Sequence, residues 1–232
     1  MRNSMLVMLA AASLTTSLFA KKEDADQRLQ AATTVLSEAM NTPDRGIPHE
    51  LMDSAQCVVI VPSVKKAAFI VGGKYGKGFV VCRHHNGAGW GAPAAVKVEG
   101  GSFGFQIGGS ETDVVMLVMN DSGAKHLLSS QFTLGGDASI AAGPIGRTAM
   151  ADTDASMRAE ILSYSRARGI FAGVALNGAT LREDKEANME LYGSEMSNKD
   201  IIMGGTKAPA AASQLESLLN KYSRHKEATK LP

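Results

Sequence analysis

The sequence has few cysteines and aromatic residues, no excess of basic charge and, beyond its start, no long apolar run, and these absences exclude several protein classes. Of its 232 residues only two are cysteine, one is tryptophan and 5% are aromatic, so a disulfide-rich scaffold is excluded. Lys and Arg number 24 against 23 for Asp and Glu, and this balance argues against a nucleic-acid binder. Beyond Ala20 no apolar run approaches the roughly 18 residues of a membrane-spanning helix. With 44% hydrophobic residues, the rest of the chain has ordinary globular composition.

The N-terminal segment differs from the rest of the chain. Arg2 is followed by an uncharged, mostly apolar stretch from Met5 to Phe19, and Ala20 precedes a charged segment. This layout is typical of a secretory signal peptide cleaved after Ala20, with an uncleaved N-terminal anchor as the alternative. We therefore expect a signal peptide over residues 1–20 and an exported protein, either periplasmic or secreted.

The two cysteines, Cys57 and Cys82, each lie at the edge of an apolar run. In an oxidising compartment they would form a disulfide if the two runs are adjacent, with Cα atoms within about 7 Å of each other. Two buried free thiols are the alternative. The residues alone leave both open.

Hydrophobic periodicity separates helical ends from a strand-rich middle. From Ala25 to Met40 apolar residues recur every three or four positions, which predicts an amphipathic helix. Short runs rich in β-branched residues follow, and 17 of the 75 residues from Gly72 to Gly146 are glycine. That density suits bends and tight crossings in a curved sheet.

The predicted fold class is α+β, with a Gly-rich, mostly antiparallel curved sheet or barrel-like core and flanking N- and C-terminal helices. We expect a single domain over residues 21–206 and a linker over residues 207–212. A C-terminal amphipathic helix and tail should occupy residues 213–232, with Ser213 as the helix cap.

Charge is distributed unevenly along the chain. No Asp or Glu occurs from Ser54 to Val98, although this segment carries six basic residues. Each Lys or Arg near an anionic leaflet contributes about 1 kcal/mol, so such a segment favours an acidic membrane surface, with a solvated basic face as the alternative. The predicted headgroup-binding residues are Lys65, Lys66, Lys74, Lys77 and Arg83. The amphipathic aromatic residues predicted at the membrane interface are Tyr75, Phe79 and Trp90.

Two amphipathic helices could add apolar contacts with a membrane. The segments Ala25 to Met40 and Ser213 to Tyr222 each carry an apolar stripe that could lie in the interfacial plane. Packing of the same stripes against the sheet is the alternative for both. The expectation that one of these helices inserts into a membrane requires its apolar stripe to be exposed in the folded protein.

Short catalytic and metal-binding patterns are weak in this chain. The segment Gly100 to Gly104 fits the GxSxG nucleophile elbow around Ser102, but the residues after it continue as strand and turn rather than helix. A serine hydrolase is therefore only a third hypothesis. Adjacent His84 and His85 would point to opposite faces of a strand and cannot easily share a metal ion. We expect no catalytic residue, metal or cofactor.

Six blocks of sequence, in a fixed order, resemble the SYLF domain family. They cover most of the chain, from about Ala31 to Tyr192. The blocks are Gly72 to Gly78 followed by Arg83, Gly89 to Pro93, Gly101 to Gly108, Leu134 to Asp137, Ala141 to Arg147, and Ser163 to Gly173. Six ordered blocks are far more specific than any single short motif.

The resemblance implies a lipid-binding module without catalysis. Eukaryotic members of the family bind phosphoinositides and associate with actin, often beside SH3 or FYVE domains, whereas bacterial members are exported single-domain proteins. This chain resembles the bacterial kind. The expected function is therefore non-enzymatic binding to anionic phospholipid headgroups on a membrane surface, with an envelope protein–protein interaction module as the alternative and no nucleic-acid partner.

Overall fold

The computed structural model describes residues 25–42, 46–69, 71–84, 89–103, 108–146, 159–167, 169–174 and 176–223. For residues 67–69, 71, 102, 103 and 108 it describes the backbone alone. The predicted signal peptide over residues 1–20 lies outside this part of the chain.

The helix predicted at the start of the domain is present as α1, over residues 25–41. Its apolar residues are spaced so that they share one face, and the whole stripe is buried in the core. The buried residues are Ala25, Leu29, Ala32, Val35, Leu36, Ala39 and Met40. On the polar side, Glu38 pairs with Arg166 of the sheet. A short helix, α2 (His49–Ser54), follows.

Nine strands of the described chain form one sheet. They are β1 (Cys57–Phe69), β2 (Val71–Cys82), β3 (Ala94–Phe103), β4 (Gly108–Val118), β5 (Gln131–Thr133), β6 (Ile140–Ala142), β7 (Ile161–Ala167), β8 (Ile170–Gly173) and β9 (Thr180–Glu183). Eight strands follow the order β5-β9-β3-β2-β1-β4-β7-β6, and β8 also pairs with β7. Among these pairings only β6 with β7 is parallel. The sheet curls into a half-barrel, which confirms the predicted α+β class.

The helices after the first strands are short. They are α3 (Asp121–Leu127), α4 (Lys185–Tyr192), α5 (Asn198–Met203) and α6 (Ser213–Tyr222). A 3₁₀ turn over Ala210–Ala212 leads directly into α6. The N-cap of α6 is therefore Ala212, without a side-chain cap bond, and the prediction that Ser213 caps this helix is wrong.

Both faces of the central strands are buried, because alternate strand residues enter two separate apolar clusters. One face, here called the helix face, packs Val58, Ile60 and Phe79 against α1, α2 and α6. The other, here called the opposite face, packs Val59, Val61 and Val80 beneath α3 and α5. This period of two follows from the pleat of a β-strand and determines on which side each functional residue lies.

Cys57 and Cys82 are directly opposite each other at the end of the β1–β2 pair. Their sulfur atoms form a disulfide, with the Cα atoms 4.0 Å apart. The bond closes the chain between the two cysteines into a loop, and this loop contains both strands of the β1–β2 hairpin.

Candidate functional site

The predicted headgroup-binding residues lie on the β1–β2 hairpin or just beyond its end, but they do not form one cluster. The strand register places Lys65 opposite Tyr75 and Lys66 opposite Lys74. A Cβ atom on Gly76 would lie 2.8 Å from Val61 and 2.9 Å from Val64, so this position points to the opposite face. Because side chains alternate, Lys74 and Lys66 share the opposite face, whereas Lys65 lies on the helix face.

Lys66 and Lys74 form a pair of like charges without a carboxylate partner in the described chain. On their outer sides the register places Ser110 and Gly100, which are both uncharged. Burial and the positive charge of Lys66 lower the pKa of Lys74. Like charges directly opposite each other are destabilising, so this pair is a place where an anion would stabilise the protein.

Glycine makes room for the Lys74 side chain. A Cβ atom on Gly100 would lie 2.5 Å from Cε of Lys74 and 3.3 Å from the carbonyl oxygen of Gly178. The aliphatic stem of Lys74 therefore lies across the bare backbone of β3. This packing half-buries the side chain and fixes its direction.

Lys65 lies in a different electrostatic environment. Its partner across the β1–β4 pair is Glu111, and its partner across the β1–β2 pair is Tyr75. Both Lys65 and Glu111 are exposed. The helix face of the hairpin therefore carries charges of both signs, and the unbalanced positive charge is on the opposite face.

Lys77 is occupied by an internal ion pair. Its Nζ lies 3.1 Å from Oδ2 of Asp184, and Nζ of Lys97 lies 3.2 Å from Oδ1 of the same carboxylate. The Asp184 side chain is 1% exposed. Burial alone would raise the pKa of Asp184, but hydrogen bonding and charge from Lys77, together with the Ala187 amide and Lys97, hold it below its usual value. The prediction that Lys77 is free to bind a headgroup is therefore not supported by this geometry.

Arg83 is also used within the fold. Its Nε donates to the carbonyl oxygen of Ala55 at 2.9 Å, and its Nη2 donates to that of Asp53 at 3.1 Å. The guanidinium lies over the Trp90 ring, 4.5 Å from the ring centroid. A cation on the last carbonyl groups of a helix stabilises the helix end, so Arg83 caps α2 and does not belong to the lysine pair.

Two of the three predicted interface aromatics are core residues. Phe79 is fully buried, and Trp90 is 4% exposed with its Nε1–H donating to Oγ of Ser223 at 2.7 Å. Neither ring can reach a membrane surface in this fold. Tyr75, which is 45% exposed, is the one member of that predicted set on the surface.

The apolar stripes of α1 and α6 are likewise not available to a membrane. Leu29 and Leu36 of α1 and Leu215 and Leu219 of α6 are all fully buried in the helix-face core. The expected insertion of either helix is therefore wrong for this fold, and packing against the sheet explains both stripes. None of the described helices is long and apolar enough to cross a bilayer.

The GxSxG match does not adopt the geometry of a nucleophile elbow. Ser102 lies within strand β3, opposite Gly72 of β2, and the next described element is strand β4. A nucleophile elbow places its serine on a sharp turn between a strand and a helix. The strand context removes the observation on which the hydrolase hypothesis rested.

The curled sheet with flanking helices defines a class of α+β domain, and comparisons with known proteins identify its family. A family model described as "Ysc84: Las17-binding protein actin regulator" matches residues 99–222. The chain belongs to this Ysc84, or SYLF, domain family.

Relatives with this domain are known from several eukaryotes. The chain is 40% identical to an SH3 domain-containing protein of Schizosaccharomyces pombe over 178 residues, which is 75% of this chain and 41% of that protein. It is 35% identical to human SH3 domain-containing YSC84-like protein 1 over 188 residues, which is 81% of this chain and 54% of the human protein. It is also 35% identical to Protein YSC84 of Saccharomyces cerevisiae over 191 residues, or 78% and 40% of the two chains. The chain thus spans about half the length of these curated relatives.

Proposed function

We propose that this protein binds anionic lipid surfaces without catalysis and that Lys66 and Lys74 are its headgroup-binding residues. The observation that carries this proposal is their direct opposition on one face of the hairpin, without a described carboxylate to balance them. A phosphate group between the two ammonium groups would remove their repulsion and form charge-assisted hydrogen bonds with both. Lys65 adds long-range attraction from the other face of the hairpin.

The sequence beyond the lysine pair suits approach to a bilayer. The residues of β1 and β2 beyond the pair, 67–69 and 71–73, contain no charge, and neither do residues 100–103 and 108–110 of the neighbouring strands. Charged groups are costly to bring near the apolar layer, and uncharged strand ends avoid that cost. As part of the same proposal, the predicted signal peptide assigns this activity to an exported protein at an envelope or extracellular membrane.

Replacing both Lys66 and Lys74 by alanine tests the proposal. At about 1 kcal/mol for each charge, the double variant should bind anionic vesicles about 30-fold more weakly than the wild type. Flotation with phosphatidylglycerol vesicles at low and high salt measures this loss, and phosphatidylcholine vesicles provide the uncharged reference. Salt should weaken wild-type binding, because the charges that meet the surface are exposed to screening.

The matched control changes the same total charge elsewhere. Lys185 of α4 and Lys221 of α6 are both exposed, and their helices pack on the helix face, away from the lysine pair. Their double alanine variant should keep most of the wild-type affinity. Equal losses in the two double variants would show that net charge alone drives binding and would contradict the assignment to the lysine pair. Lys77 is unsuitable for either variant, because its charge is part of the Asp184 ion pair.

The lowered pKa of Lys74 predicts how vesicle binding depends on pH. Burial and the charge of Lys66 both favour the neutral form of Lys74, so its proton is lost at lower pH than that of an ordinary lysine, near 10.4. Wild-type binding should therefore decline at a lower pH than the titration of an ordinary lysine would produce. The Lys66→Ala variant removes one cause of the shift, and its decline should occur at higher pH. Identical midpoints in flotation would contradict this coupling.

Protein binding is the second candidate function, and the family description favours it. The words "Las17-binding protein actin regulator" describe a family whose match covers residues 99–222 of this chain. A protein partner would bind with one stoichiometry and with little sensitivity to salt, unlike a headgroup surface. Co-sedimentation with actin filaments, and pull-down at low and high salt, distinguish the two candidates. Salt-resistant stoichiometric capture without vesicle binding would replace the lipid proposal.

A further inference from the structure

Part of the helix face of the sheet is left uncovered by the described helices. Where β3, β9 and β5 run side by side, the residues on this face are polar or glycine, although the residues between them are buried. Buried in the opposite-face core are Val98, Leu181 and Phe132. Their neighbours on the helix face are Lys97, Glu99, Gly101, Thr180, Arg182, Gln131 and Thr133. An amphipathic antiparallel sheet can leave one face to solvent, and here two cavities lie against that face.

The uncovered face forms a groove. One cavity of about 430 Å³ lies over Glu99, Gly101, Thr133 and Thr180. A second, of about 320 Å³, adjoins it and shares Gln131 and Arg182 with it. Strands in a sheet are about 4.8 Å apart, so the groove from β3 to β5 extends roughly 10 Å across the strands. This length suits a short linear polymer.

Three polar side chains in the groove are planar and hydrogen-bonded within it. Nη1 of Arg182 donates to Oε2 of Glu99 at 3.2 Å, and Oδ2 of Asp137 accepts from the Thr133 amide at 2.7 Å. Carboxylate, guanidinium and amide groups can each contact two adjacent hydroxyl groups of one ligand. Two acids, Glu99 and Asp137, face one base, Arg182, so the larger cavity carries no excess positive charge for an anion.

Two further features favour a ligand with flat, weakly polar faces. Tyr75 lies beside Glu99 in the strand register and is 45% exposed, so its ring is available at the groove edge. A Cβ atom on Gly101 would meet nothing within 4 Å, so the floor of the groove is open there. Sugar rings present C–H groups on their faces and hydroxyl groups around their edges, which matches an aromatic edge and a polar wall.

We propose that this groove binds a neutral oligosaccharide. The site does not depend on the proposed lipid function, because Lys66 and Lys74 lie on the opposite face of the sheet. The glycine floor receives a ring, Glu99, Asp137, Arg182 and Gln131 bind its hydroxyl groups, and Tyr75 contacts the ring that extends beyond β3.

Titration of the ¹⁵N-labelled full chain with maltotriose and with chitotriose tests this site. We expect saturable amide shifts at Gly100, Gly101, Thr133 and Thr180, with a Kd in the range of about 1 mM for at least one saccharide. Gly101→Val fills the open floor and should weaken binding at least about tenfold. Gly109→Val is the matched control, since it places the same side chain on an exposed strand glycine of β4 away from the groove.

The possible outcomes separate this site from its alternatives. Groove shifts that are lost in Gly101→Val and kept in Gly109→Val support the proposal. Absence of shifts with both saccharides, or shifts that persist in Gly101→Val, overturns it. Amide shifts in the groove with trilysine but with neither saccharide also overturn the proposal. They would show that the acidic side chains of the groove, Glu99 and Asp137, bind a basic peptide. The double variant of Lys66→Ala with Lys74→Ala should keep the groove shifts, which makes the result independent of lipid binding.

Discussion

Replacing Cys57 and Cys82 by alanine together is expected to lower the free energy of unfolding by about 3.5 kcal/mol. The disulfide joins residues 25 positions apart, and the loss follows from the loop entropy that the bond removes from the unfolded chain. Both cysteines are almost fully buried, and alanine leaves no unpaired polar group in their place. Some additional loss is expected from the small cavity that two missing sulfur atoms leave.

Chemical denaturation of the oxidised wild type and of the double variant measures this difference. The wild type treated with a reducing agent should approach the stability of the variant, whereas the variant itself should not respond to the reagent. Equal midpoints for the oxidised and reduced wild type would show that the bond contributes nothing. Vesicle binding by the folded variant should remain, because ten described backbone pairings with β4 also hold β1 in register.

The fold class could be predicted from the sequence because periodicity reports burial. The stripe of α1 and the alternation of the strands both reflect the surface that each element buries, and glycine density reflects curvature. The fixed order of the six family blocks supported the resemblance to the SYLF family, which local periodicity alone does not provide. The fate of the amphipathic helices could not be predicted in this way, since an apolar stripe such as Leu29 with Leu36 looks the same whether it faces a core or a membrane.

The candidate site was predictable only as a charge-rich segment. Which lysines are free depends on partners that are distant in sequence, and Asp184 lies more than a hundred positions beyond Lys77. The pairing of Lys66 with Lys74 depends on the register of the hairpin, which composition does not determine. Phe79 illustrates the same limit. Its neighbours Val80 and Val81 are buried on alternate faces, and a strand segment that is buried on both faces has no exposed aromatic side chain.

The second large effect is expected at Asp184, which joins the sheet to α4. Its carboxylate accepts from the Ala187 amide as the N-cap of α4 and pairs with Lys77 and Lys97. Asp184→Ala should lower the free energy of unfolding by about 2–3 kcal/mol, of which the cap accounts for about 1 kcal/mol. The loss is smaller than for a fully buried ion pair, because both lysines are partly exposed and can turn toward water.

The pH dependence of that loss follows from the two shifted pKa values. The pKa of Asp184 is lowered in the folded protein, so its contribution is present above the unfolded value near 3.9 and is lost as the pH falls through the folded value. Burial alone would lower the pKa of Lys97, but its bond to Asp184 raises it, so its contribution is present below about 10.4 and is lost as the pH rises through the folded value. The stability difference between wild type and Asp184→Ala should therefore be largest between these limits.

Urea denaturation of wild type, Asp184→Ala and Asp184→Asn across the pH range measures this dependence. Asparagine keeps an acceptor for the helix cap and removes the charge, so it should retain part of the stability and show almost no dependence on the titration of Asp184. A wild-type advantage that is the same at about pH 3 as at neutral pH would contradict an ionic role for this carboxylate. In that case the cap alone would account for the effect of the alanine variant, and Lys77 would be free to contribute to the basic surface.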